Sequence, residues 1–273
     1  MTPEQFIKLG KDGYNHVPVV RTMFADLDTP LSCYVKVARG PYSYLLESAA
    51  QGGEKWSRYS LVGLPSDFVV KITGDEITLE KSGEVTEQFR VEDPLAFVEE
   101  FQGRFSYPEL QDLPIYTGGL VGYFGYDTIR YVEKKISHSA PPDILGTPDI
   151  ILMVSNDVIV FDNVLGRIHL ITHADPAEDG SFELAQARLQ QMAKDLQTNV
   201  PKDLHDPVRG PRLHEADFVS NYGEEAYKAD VEKIKDYIVE GDVMQVVLAQ
   251  RMSVAFESDP LNLYRALRSL NPS

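Results

Sequence analysis

Short apolar runs broken by Gly, Pro and Ser dominate the first two-thirds of the chain. LSCYVKVA (31–38), YSYLLES (42–48), YSLVGL (59–64) and DFVVKIT (67–73) are rich in β-branched, aromatic and leucine residues, a strand signature. DEITLEKSGEVTEQF (75–89) alternates on either side of Ser82-Gly83 and predicts a hairpin. DIILMVSNDVIVFDNVLGRIHLITHA (149–174) predicts a longer hairpin pair turning at Asn163 to Gly166. Consecutive strands joined by short turns imply antiparallel pairing rather than repeated βαβ units.

Helical spacing is rarer. Leu95, Val98, Phe101 and Phe105 follow Asp93-Pro94, where the aspartate can cap and the proline suits the first turn. Phe182, Ala185, Leu189, Met192 and Leu196 form a second stripe. Residues 199–216 hold three prolines and a glycine without periodicity, and read as a linker. Tyr227, Val231, Ile234 and Ile238 then predict a helix stopping at Gly241. DVMQVVLAQRMSVAF (242–256) is apolar on both faces, as a strand buried on both sides would be. A last helix runs through Leu263, Leu267 and Leu270. The pattern alone gives a largely antiparallel α+β chain with packed helices, in two parts, 1–198 and 217–273, on either side of that linker.

Composition narrows the function. The chain has 273 residues and a formal charge of −16, a surface that repels phosphate backbones and anionic lipid. Nucleic-acid and membrane partners are therefore not expected. The start, MTPEQFIKLGKDG, has no apolar core for a signal peptide, and no stretch reaches a membrane span, so a cytoplasmic location is expected. The single cysteine, Cys33, excludes an internal disulfide and reads as a buried, inert thiol.

Candidate chemistry is thin. His169 and His173 lie in a strand, where four residues span roughly 13 Å, too far to chelate one ion; exposed strand histidines are expected. Asp127, Glu133, Asp143 and Asp149 have no facing partners that would make a dyad, although Asp127 and Arg130 can pair locally. TGGLVGYFGYDTIRYVE (117–133) lacks a phosphate-loop pattern. Its glycines read as sites of close backbone approach, with Tyr123, Phe124 and Tyr126 packed around them. Gln245, Gln250 and Arg251 interrupt an apolar run and serve either a ligand or neighbouring segments.

Three stretches, LLESA…RYSLVG, GGLVGYFGYDTIRYVE and YKADVEKIKDYIVEGDVMQVVLAQR, occur in an order and at separations that resemble the large subunit of anthranilate synthase, component I. The resemblance covers nearly the whole chain and implies an α+β fold, a largely antiparallel β-sheet sandwich with packed helices, in which residues 1–198 are an N-terminal regulatory domain and 217–273 the incomplete start of a second. It implies amination of chorismate and loss of its enolpyruvyl group to give anthranilate and pyruvate in tryptophan biosynthesis. It also implies Mg²⁺ in the full-length enzyme, a glutamine amidotransferase subunit that supplies ammonia within a heterotetramer, and feedback inhibition by tryptophan. Family members continue well beyond residue 273. Their Mg²⁺ carboxylates, catalytic histidine and chorismate-binding arginine belong to that later part, so no catalytic or metal residue is assigned here and the chain alone is expected to be inactive. By motif, Ser48 matches a tryptophan-contacting serine beside Leu46 and Glu47, Arg58 a basic residue near the inhibitor, and Asn271-Pro272 the start of a segment closing the same pocket. A zwitterionic amino acid needs an acceptor for its ammonium, a donor for its carboxylate and apolar walls; Glu47, Ser48 and Arg58 supply such groups and Tyr44 to Leu46 the apolar surface. Two other readings stay open: aminodeoxychorismate synthase component I, and a stand-alone amino-acid-binding module.

Overall fold

The computed structural model describes residues 1–47, 58–111, 113–140, 142–201 and 212–270. They fall into two compact units, Met1–Asp203 and Leu204–Pro272, and the division lies within the proline-rich stretch 199–216.

In the first unit, helix α1 (Pro3–Lys11) is opened by a capping box: the Thr2 hydroxyl accepts from Gln5 N, and the Gln5 side chain accepts from Thr2 N. Strand β1 (Val17–Phe24) follows, then helix α2 (Pro30–Cys33) running into a π-helical turn, Tyr34–Ala38. This corrects the strand expected at 31–38. Thr29 caps the helix with Pro30 at its first position, and Cys33, Val35 and Ala38 bury one helical face. A local cap overrode the strand preference of Val35 and Val37. The Cys33 thiol is fully buried and burial pushes it up to about 12, so it stays protonated and inert, as expected.

The remaining strands of this unit are β2 (Tyr44–Leu46), β3 (Tyr59–Gly63), β4 (Phe68–Thr73), β5 (Glu76–Lys81), β6 (Glu84–Arg90), β7 (Gly119–Phe124), β8 (Ile150–Ser155), β9 (Asp157–Asp162) and β10 (Arg167–Ala174), with a short helix, α4 (Ile129–Val132), between β7 and β8. One sheet has the order β1-β10-β9-β3-β2 and the other β6-β5-β4-β8-β7, with antiparallel pairing between all these neighbours. The architecture is the expected antiparallel α+β sandwich. Ser82 and Gly83 take positive φ, 53° and 83°, the geometry of the tight turn predicted for the β5–β6 hairpin. The β9–β10 hairpin also forms as expected. β8 does not extend it, because a single residue, Asn156, separates β8 in one sheet from β9 in the other.

Alternation along the strands sorts side chains into three apolar layers. Phe6 of α1 and Cys33 pack with Val17, Val19, Ile159, Phe161, Ile168 and Leu170 against helix α5 (Ser181–Asp195), which contributes Ala185, Leu189 and Met192. On the far side of the second sheet, helix α3 (Pro94–Gln102) buries Phe97 and Phe101 on Ile72, Ile77, Ile150 and Leu152. Asp93 caps α3 as predicted, whereas Phe97 was not among the residues read as its apolar stripe. Tyr44, Val158, Val160 and Ile171, with Val121 and Met153 partly buried against them, form the layer where the two sheets meet.

That middle layer corrects the exposed histidines. His169 is buried and its Nδ1 lies 3.0 Å from the Thr22 hydroxyl. His173 stacks on His16 with ring centroids 4.4 Å apart, beside Tyr107, and its Nδ1–H donates to Asn156 O at 2.9 Å. The Nε2 atoms of His16 and His173 are both buried without a described partner. Helix α5 packs on one face of β10; on the other His169 is buried, and His173 is half-buried beside His16 and Tyr107.

The glycine cluster behaves as read: a Cβ on Gly122 would sit 1.8 Å from Ile151 O. The aromatics around it do not. β7 is an edge strand, and Tyr123, Phe124 and Tyr126 are exposed.

The second unit holds β11 (Val219–Ser220), α6 (Glu224–Glu240), β12 (Met252–Ser253) and α7 (Pro260–Leu270). α6 stops at Gly241 with φ 84°, as predicted. The long strand expected over 242–256 is reduced to β12, which pairs only with β11. A strand apolar on both faces needs a sheet on each, and no such sheet stands among the described residues. Gln250 Oε1 instead accepts from the Ser220 hydroxyl, and the Arg251 amide donates to Asn221 Oδ1, tying neighbouring segments together.

Candidate functional site

β2 ends at Leu46, and Glu47 follows it out of the sheet. With Tyr59 and Leu61 of β3, Val160 of β9 and the segment Pro114, Ile115 and Tyr116, they line a cavity of about 420 Å³. The walls are apolar or aromatic because β2, β3 and β9 turn the same side of their pleat toward it. Glu47 is the only charged residue among the described lining. Behind the wall lies a chain of hydroxyls. Tyr116 OH is 3.0 Å from Tyr44 OH, which is 2.7 Å from the Ser155 hydroxyl. Burial pushes both phenols up, so all three groups stay neutral and exchange hydrogen bonds. The ring of Tyr44 lies flat over Gly63, where a Cβ would meet its Cε1 at 1.9 Å.

Arg58 stands just before β3. Its Nε and Nη2 both donate to Asp162 Oδ2, at 3.0 and 2.6 Å, and its guanidinium lies 4.8 Å from the centroid of Tyr59, a cavity wall. Asp162 is almost fully buried. Burial alone would raise its carboxyl, but the Arg58 hydrogen bond and the Leu165 and Val164 amides outweigh this and hold it below the ordinary range. Arg58 thus reaches the cavity with its charge already balanced. Asp162 was not found by sequence reading; its only signal was its place before the turn 163–166. Replacing it with alanine removes the ion pair and leaves two turn amides without their acceptor, an expected loss of about 2–3 kcal/mol in urea denaturation. Arg58→Gln keeps the turn and is expected to cost clearly less.

Of the residues expected at an effector site, Leu46 and Glu47 come together in this cavity and Arg58 touches its wall through Tyr59. Ser48, Asn271 and Pro272 lie outside the described residues. The scattered acids serve local structure. Asp149 accepts from Gly74 N and Tyr131 OH, Asp143 caps Leu145 and Gly146, and Asp127 pairs with Arg130 at 2.7 Å. Among the described residues no three His, Cys, Asp or Glu side chains converge where an ion could be held. No described helix is long and apolar enough to cross a membrane.

Residues 43–273 match the family described as chorismate binding enzyme. The chain belongs to the chorismate-binding enzymes. It is 50% identical to anthranilate synthase component 1 of Pseudomonas putida over all 273 residues, which cover 55% of that protein. It is 34% identical to anthranilate synthase component 1 of Acetivibrio thermocellus, over 98% of this chain and 54% of that protein. The crystal structure of anthranilate synthase component I from Streptococcus pneumoniae TIGR4 aligns with a TM-score of 0.64 and 29% identity, over 92% of this chain and 53% of that one. This chorismate-binding chain therefore spans about half the length of the curated relatives it matches.

Proposed function

We propose that this chain is the regulatory half, with the opening elements of the catalytic half, of an anthranilate synthase component I. Residues 1–198 sense tryptophan, 199–216 link, and 217–273 begin the chorismate-binding domain. The whole enzyme converts chorismate and ammonia to anthranilate and pyruvate, and a glutamine amidotransferase subunit delivers the ammonia. The 50% identity to a protein named for that activity supports the reading. The described residues do not fit Mg²⁺, so no step is routed through it, and the chemistry is assigned to the part of the relatives beyond the match.

The cavity beside Leu46 and Glu47 carries the sensing role. Its volume suits an amino acid, with Tyr59, Leu61 and Val160 against the indole and the Glu47 carboxylate on the ammonium. Motif likeness assigns Ser48 and Arg58 to the tryptophan carboxylate. Calorimetry with L-tryptophan is expected to give saturable binding that Glu47→Gln weakens at least tenfold, about 1.4 kcal/mol, and that Ser48→Ala also weakens. Equal binding by all three proteins would remove these residues from the site. With chorismate, ammonia and Mg²⁺ no anthranilate fluorescence is expected; turnover would overturn the placement of the chemistry.

A further inference from the structure

A second cavity, of about 360 Å³, opens between α1, the start of β1 and the residues Leu110, Gln111 and Leu113. Leu9, Pro18 and Leu113 give it an apolar floor, and Gln5, Lys8 and Asp12 bring the polar groups. The last three lie on one face of α1, spaced three and four residues apart, so each is a neighbour of the next.

Their chemistry is unspent. Gln5 gives its carbonyl oxygen to the Thr2 amide at 2.9 Å, which leaves its NH₂ as a donor. Lys8 and Asp12 make no ion pair among the described residues. A lysine four residues before an acid is the weaker order for a pair within a helix. Asp12 is also the C-cap of α1, where the negative end of the helix dipole disfavours a carboxylate. Lys8 and Lys11 in the last turn offset the dipole, but neither forms an ion pair with Asp12, whose carboxylate is open to a bound cation.

We propose that this cavity binds a zwitterionic amino acid with an apolar side chain. Its carboxylate sits between Lys8 Nζ and the Gln5 NH₂, its ammonium lies on Asp12, and its side chain covers Leu9, Pro18 and Leu113. The site is separate from the cavity beside Glu47 and does not rest on its assignment, although the two are neighbours along the chain: Leu113 lines one and Pro114 the other.

Titration of the isotope-labelled full chain with L-leucine, followed by NMR, tests this. Saturable shifts are expected at Leu9 and Leu113 in the millimolar range. L-Leucinamide, which lacks the carboxylate, and N-acetyl-L-leucine, which lacks the ammonium, are each expected to bind at least fivefold more weakly. Lys8→Gln should weaken leucine while leaving leucinamide unchanged, and Asp12→Asn should weaken leucine while leaving N-acetyl-leucine unchanged. Both substitutions are on the surface, and unchanged melting temperatures confirm the fold. Absence of saturable shifts, shifts confined to Leu46, Glu47 and Tyr59, or equal affinities across the three ligands would overturn the proposal.

Discussion

Gly63→Ala is expected to destabilise the first unit by roughly 3 kcal/mol or more, in the upper range for overpacking. Gly63 faces Tyr44 directly across the β2–β3 pair, and a Cβ there would lie 1.9 to 2.4 Å from three atoms of the tyrosine ring. The ring has no easy retreat. Its hydroxyl is held by Ser155 and Tyr116, and its body is packed in the layer between the sheets. Tyr44→Ala also costs stability, by leaving a cavity and an unpaired Ser155 hydroxyl, but it removes the obstacle. The double variant should therefore lose less than the sum of the two singles by more than about 1 kcal/mol. Urea denaturation of the four proteins measures that coupling. A Gly63→Ala protein within 0.5 kcal/mol of the parent, or a strictly additive double variant, would show that the ring moves aside freely.

The stacked histidines set the second large effect. Burial and the neighbouring imidazole of His173, opposed by a hydrogen bond to the Asn156 side chain, leave His16 with a pKa lowered to about 3, and burial lowers His173 as well. In the unfolded chain both titrate near 6.5. Above that pH neither folded nor unfolded chain binds these protons, and they add no pH dependence. Below it the unfolded chain takes up protons that the fold refuses. Stability then falls as pH falls, by about 1.4 kcal/mol per pH unit for each histidine, until the folded groups themselves titrate. Asp162, lowered in the fold, acts in the same direction, but only near the ordinary carboxylate range. Between pH 7 and pH 5 His16→Phe, which keeps a stacked ring without a proton site, is expected to shrink the loss by about 2 kcal/mol. Denaturant midpoints at the two pH values measure it. An unchanged difference would mean that His16 is already solvated and protonated in the fold.

Much of this was legible in the chain because it is local. The Ser82-Gly83 turn, the Asp93 and Gly241 helix ends, the α5 stripe and the close approach at Gly122 follow from a few adjacent residues, and each stands where the pattern put it. What failed depended on partners far along the chain. Val35 and Val37 have strand preferences, but Thr29 and Pro30 start a helix that buries them, and capping won. His169 and His173 are ordinary polar residues of a strand until partners far along the chain pack on them, Thr22 on the first and His16 and Tyr107 on the second. β8 and β9 read as one hairpin because no residue announces that Asn156 passes from one sheet to the other. At the cavity beside β2, Leu46 and Glu47 were visible through motif likeness, as was Arg58 against its Tyr59 wall. The acid that balances Arg58 lies 104 positions away and has no local mark. Segment 242–256 fails in another way: a strand pattern with no described sheet to receive it forms a strand only at Met252–Ser253.

The pairing of β1 with β10 carries a consequence for synthesis. Val17 bonds opposite Ala174 and Phe24 opposite Arg167, so the outermost strand of the first sheet has no partner until roughly 150 more residues have been made. At ribosomal rates that is about 8–30 s during which Val17, Val19 and Val20 are uncovered. The second sheet has no such delay for β4, β5 and β6, whose partners are adjacent in the chain. The nascent protein should therefore assemble its middle first and close around its own beginning last, which makes the N-terminal strand the part most in need of shelter while the message is still being read.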